Sequence, residues 1–110
     1  MGSGEGPTQR EVWRIGVTIR PEAEDDIIEA VGWYEGQQAG LGSRFRRSLD
    51  RVLEQIELMP ELYRVVHRDV RRALMKPFPF AVYYRVWEGE VTVWAVLHSR
   101  QHPDHWKSRV

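Results

Sequence analysis

The chain has no cysteine, which excludes disulfides, a thiolate nucleophile and Cys-based zinc sites. It has no apolar run long enough to span a bilayer, and no basic segment followed by an apolar stretch at its start. The expectation is a soluble, cytoplasmic protein. A phosphate-cradling glycine loop, a serine nucleophile elbow and a His-Glu-x-x-His helix are also missing. No cofactor is expected. His98, His102 and His105 lie close in sequence, but no cysteine or carboxylate completes a known ligand spacing, so no metal is expected.

What is present suits one modest core, since 42% of the 110 residues are hydrophobic and 29% charged. Residues 1–12 are glycine-rich and polar and read as a disordered leader, and residues 13–110 read as a single domain. The net charge is zero but unevenly placed. Six acids and no Lys or Arg lie between Pro21 and Gln38, whereas nine bases face four acids from Arg64 to Val110. The basic end suits an acidic partner or nucleic acid.

Phe80–Val86 and Val91–Leu97 are β-branched and aromatic runs joined through Glu88-Gly89, the signature of a β-hairpin. A two-residue loop sets Val86 opposite Val91, Tyr84 opposite Val93, Val82 opposite Ala95 and Phe80 opposite Leu97, giving one apolar face. The other face then carries Tyr83, Arg85, Thr92, Trp94 and His98. Pattern alone leaves open whether that face is a working surface or a solvated one.

Around the hairpin, Trp13–Ile19 reads as a first strand ended by Pro21. A helix follows from Pro21 to Gln38, with acids in its first turns and Ala23, Ile27, Ala30, Val31 and Tyr34 on one side. After the break at 39–42, Ser43 is the expected N-cap of a second helix that carries Phe45, Leu49, Val52, Leu53, Ile56 and Met59 and stops before Pro60. Residues 61–66 are extended, and Arg68-Asp69 turns the chain into a strand near Val70. The expected single core beneath the helices combines Tyr34, Phe45, Leu49, Val52, Leu53 and Ile56 with Val82, Tyr84, Val93 and Leu97.

A metal-independent nuclease needs only a proton acceptor, a proton donor and cations for the phosphate. Arg72, Lys76, Tyr83, Arg85, His98 and Arg100 offer those groups; the same residues read equally well as solvated strand and loop charges.

The ordered series does more. Trp33-Tyr34-Glu35, Gly40-Leu41-Gly42 before Phe45, Pro60-Glu61 ahead of Tyr63, Arg71-Arg72-Ala73-Leu74, Phe78 to Val86 and His98-Ser99-Arg100 together resemble the RelE/ParE toxin superfamily from about Ile15 to Trp106. That resemblance implies the toxin of a type II toxin–antitoxin (plasmid stabilisation) module. The implied fold is α+β, β-α-α-β-β-β, an antiparallel sheet covered by a helical hairpin and wrapped by a cognate antitoxin. RelE-like members cut mRNA on the ribosome and ParE-like members poison DNA gyrase. Of the RelE-like catalytic positions, Arg72 and Arg100 match, but Leu74, Ala81 and Trp106 stand where a base, an arginine and a tyrosine are expected. A gyrase inhibitor of ParE type is therefore the better match, with the ribosome-dependent endoribonuclease as the alternative. Candidate target-binding or toxicity residues are Arg71, Arg72, Lys76 and Tyr83, together with Arg85, His98, Arg100 and Trp106. Outward Tyr83 and Trp94, with Ile28, are expected to leave a patch for the antitoxin, acidic where it meets Arg71, Arg72 and Arg85; a self-assembling homodimer is the competing expectation.

Overall fold

The computed structural model describes residues 12–14, 16–101 and 104–110. The leader expected over residues 1–12 falls almost wholly outside them, as do His102 and Pro103. Pro21 opens α1 (Pro21–Gln37), and Glu22 and Glu24 sit in its first turn, where the positive end of the helix dipole favours carboxylates. Helix α2 (Leu41–Leu58) has Gly40 as its N-cap and so starts three residues earlier than a Ser43 cap predicts. The reason is Glu35, whose carboxylate accepts from the backbone N–H of Gly40 (2.9 Å) and of Gly42 (3.0 Å) and so caps the helix from its neighbour. The two helices meet closely at Gly42, where an added Cβ would lie 2.8 Å from the Val31 carbonyl oxygen.

Among the described residues, six strands form one sheet. The expected first strand is two, β1 (Val12–Arg14) and β2 (Val17–Ile19), reversing at Gly16 and paired antiparallel. Then come β3 (Arg64–His67), β4 (Val70–Leu74), β5 (Phe80–Trp87) and β6 (Glu90–His98), in the spatial order β1-β2-β6-β5-β4-β3. All neighbours are antiparallel except β2 and β6, which run parallel. Arg68-Asp69 makes the β3–β4 turn, and Glu88-Gly89 the β5–β6 turn, with φ of 50° and 78° at its two central residues. Positive φ at both is the turn geometry that follows the right-handed twist of the strands.

The hairpin register holds at Val86–Val91 and Tyr84–Val93 and then slips. Tyr83 pairs with Ala95, Val82 with Val96, Ala81 with Leu97 and Phe80 with His98, leaving Trp94 as an extra residue, a β-bulge. Beyond it the faces of β6 exchange. Val96 joins the main core with Val82, Tyr84, Val93, Phe45, Leu49, Leu53 and Ile56, while Tyr34, Val52 and Phe80 pack against it half-buried. Ala95 and Leu97, expected in that core, lie on the other side of the sheet with Val70, Ala81, Tyr83 and Trp106. His98, expected on that other side, pairs with Phe80 and packs edge-on against its ring at 5.4 Å.

The sheet face away from the helices is therefore not bare. A short 3-10 helix (His105–Arg109) lies there, and Trp106 stacks on Tyr83 with ring centroids 4.7 Å apart and planes inclined by 22°. Both rings are buried, at 1% exposure for Tyr83 and 2% for Trp106. Tyr83 is thus not the outward aromatic that strand alternation suggests.

Candidate partner-binding surface

The apolar stripe of α2 is used against the sheet, which leaves its flank of Ser48, Arg51 and Gln55 facing the end of β4 and the chain beyond it. Period-2 alternation puts Arg72 and Leu74 on one side of β4, and β3 brings Arg64 alongside through the Arg64–Arg72 pair. These elements enclose a groove of about 650 Å³ whose lining includes four cationic residues, Arg51, Arg64, Arg72 and Lys76. Ser48 Oγ donates to the Lys76 carbonyl (2.6 Å) and fixes the strand end to α2. The Tyr63 hydroxyl donates to Gln55 Oε1 (3.0 Å) across the groove wall. Among the described residues, no carboxylate and no imidazole lines it. Leu62 and Leu74, both exposed, add apolar surface to its lining.

Of the residues marked from sequence, Arg72 and Lys76 reach this groove. Arg71 does not: its guanidinium donates to the carbonyls of Tyr63 (2.7 Å) and Glu61 (3.1 Å), tying the segment before β3 to β4. Arg85 donates to Asp69 (2.7 Å), which holds that carboxyl below its ordinary range, and lies 5.3 Å from the centre of the Trp94 ring. His98 sits elsewhere, in a second cavity beside α1, and its Nδ1 accepts from the amides of Arg100 and Gln101 (both 3.1 Å). Arg100 is exposed in the loop after β6. Trp106 is inside the molecule rather than on a surface. Sequence reasoning missed Arg51 and Arg64, because only the packing of α2 and β3 against the end of β4 brings them to the same groove.

Of the positions that the resemblance aligns with RelE-like catalytic residues, Arg72, Leu74, Ala81 and Trp106 lie near one another in the sheet and against it, while Arg100 is in the exposed loop after β6. Leu74 pairs with Ala81, Arg72 with Tyr83, and Trp106 covers Tyr83. The Tyr83 hydroxyl has no hydrogen-bond partner of good geometry; burial raises its pKa, and the nearby Arg72 charge offsets part of that rise.

Comparison with known proteins gives the same direction. The profile of the family "ParE toxin of type II toxin-antitoxin system, parDE" matches residues 17–103. Toxin ParE2 of Mycobacterium tuberculosis is 24% identical over 82 residues, covering 74% of this chain and 78% of the relative. A solved structure described as a chromosomal ParDE TA system from P. aeruginosa superposes with a TM-score of 0.59 at 15% identity, over 76% of this chain and 94% of the other. At that identity the superposition speaks for the fold, and the profile, which spans both helices and the whole hairpin, speaks for the family. The chain belongs to the ParE toxin family of type II toxin–antitoxin systems.

Proposed function

We propose that this protein arrests growth by binding DNA gyrase and trapping its cleavage complexes in the cytoplasm, and that a cognate antitoxin neutralises it by covering the basic groove. One observation carries this reading. The groove gathers Arg51, Arg64, Arg72 and Lys76 without any carboxylate or imidazole to move a proton. Such a site attracts and orients an anionic surface, and the histidine or carboxylate that most often serves as base in cleaving a phosphodiester is not among its lining residues. The apolar residues at Leu74 and Ala81 point the same way, because a nuclease that lacks two of its charged groups loses several kcal/mol of transition-state stabilisation. For the antitoxin, the groove with its exposed leucines suits a segment that alternates acidic and apolar side chains.

The test is induction of the chain in a bacterial host without its genetic neighbour. Accumulated gyrase–DNA cleavage complexes and DNA-damage signalling are expected, both weakened by joint Arg72→Ala and Lys76→Ala, and both suppressed by co-expressing the neighbour. Codon-positioned mRNA cuts on translating ribosomes, with gyrase supercoiling untouched, would instead assign the ribosome-dependent nuclease.

A further inference from the structure

We infer that a second cavity, between α1 and the last residues of β6, receives an arginine side chain from a basic segment of a partner protein. This goes beyond the function proposed above, which concerns the basic groove on the α2 side. The cavity exists because of the bulge at Trp94, which turns Val96 and His98 toward α1. It measures about 290 Å³. That is the lower edge of what small-molecule sites occupy and is suited to one large side chain.

Its walls are aromatic. Tyr34 meets Trp33 at 5.0 Å in an 86° edge contact and Phe80 at 6.0 Å. Trp33 stands at the mouth, 60% exposed. The polar boundary consists of Asp26, Glu29, His98 and Gln101, and among the described residues no Lys or Arg lines the cavity. Asp26 is already matched by Arg109. Glu29, three residues further along the same helix, is not buried and belongs to the acidic run of α1 with Glu22, Glu24 and Asp25.

An aromatic wall beside a carboxylate is what a guanidinium uses best. Its flat face lies against an indole while its edge donates a two-pronged hydrogen bond to an acid. A lysine ammonium makes the charge contact but not the fork, and a neutral apolar side chain leaves Glu29 without a match. The cavity and the basic groove thus flank the helical hairpin with opposite charge preference, and they select different stretches of partner.

The test titrates the full-length, isotopically labelled chain with three pentapeptides whose central residue is arginine, citrulline or phenylalanine. Citrulline keeps the shape of arginine without its charge. The arginine peptide is expected to shift the Trp33 indole N–H and the Gln101 side-chain amide, binding about three- to fivefold more tightly than the other two. Glu29→Gln should remove that preference and Trp33→Ala should abolish the Gln101 shift; both side chains are exposed, and unchanged amide spectra elsewhere would certify the fold. Equal binding of the citrulline peptide, tighter binding of the phenylalanine peptide, or no movement of the Trp33 indole would each overturn the assignment. Failure of gyrase poisoning leaves this titration unaffected, so the two readings fall separately.

Discussion

The Asp26 carboxylate receives the Arg109 guanidinium in two hydrogen bonds, of 2.7 and 3.1 Å, and also accepts from the backbone N–H of Val96 at 3.0 Å. Arg109 reaches on to the Trp94 carbonyl at 3.2 Å. One acid on α1 therefore joins the first helix, the bulge in β6 and the chain's last turn. The side chains are 8% and 18% exposed, so the pair is shielded from water, and the carboxylate holds Arg109 more firmly charged than usual.

Breaking that pair from either side should be costly, because the partner left behind stays buried and charged. Asp26→Ala is expected to cost about 2–4 kcal/mol, and it also strands the Val96 amide. In a double-mutant cycle with Arg109→Ala, measured by urea denaturation, the coupling should exceed about 1 kcal/mol. Additive single losses would show that the pair does not hold the C-terminal turn.

Trp106 is the main anchor of that turn. Trp106→Ala should cost about 3 kcal/mol and expose Tyr83. Hydrogen exchange would then speed up in β5 and β6 beneath it while α2 stays protected. A loss below about 1 kcal/mol would mean that residues 105–109 add little to the folded unit.

Tyr84 gives a pH dependence. Its ring is buried, its hydroxyl donates to the Pro60 carbonyl (2.7 Å), and burial pushes its pKa up to about 12 from 10.0. Below pH 10 both folded and unfolded chains keep the proton, and stability is unaffected. Between pH 10 and 12 the unfolded chain releases it first, so stability falls as pH rises, by about 2–3 kcal/mol in all. Denaturation midpoints across this range should show the fall, and Tyr84→Phe should flatten this part of it.

Two glycines should respond with opposite signs. At Gly42 the new methyl would press on the Val31 carbonyl at 2.8 Å, which is backbone and cannot swing aside. Gly42→Ala should destabilise by about 1–3 kcal/mol. Gly36, in α1, has nothing within 4 Å of the added position, and Gly36→Ala should stabilise by about 0.5–1 kcal/mol through helix propensity. Thermal melts of the two variants decide it.

The sequence by itself determined the two helices, the hairpin and the Glu88-Gly89 turn. Each is specified by neighbours in the chain: the 3.6-residue stripe of α2, Pro21 ahead of an acidic first turn, and a glycine where φ must be positive. The ordered resemblance from Trp33 to Arg100 also located the family. Arg72 and Lys76 were legible as cations near the end of a strand, but not the groove, which needs Arg51 from α2 and Arg64 from β3 beside them.

Tertiary structure alone decided the rest. Val91–Leu97 is apolar or aromatic at every position but Thr92, so its pattern does not fix which residues face the helices, and nothing local marks Trp94 as an extra residue; the bulge is held by Asp26, 70 residues away from the Val96 amide it binds. That single slip moves Leu97 out of the main core and His98 into the α1 cavity. Tyr83 looked outward because strand periodicity says which face a side chain occupies, not what later chain covers that face. Trp106 covers it, and a distant segment returning to bury a ring is fixed by packing and by the Arg109–Asp26 pair, neither of which is written in any short stretch of sequence.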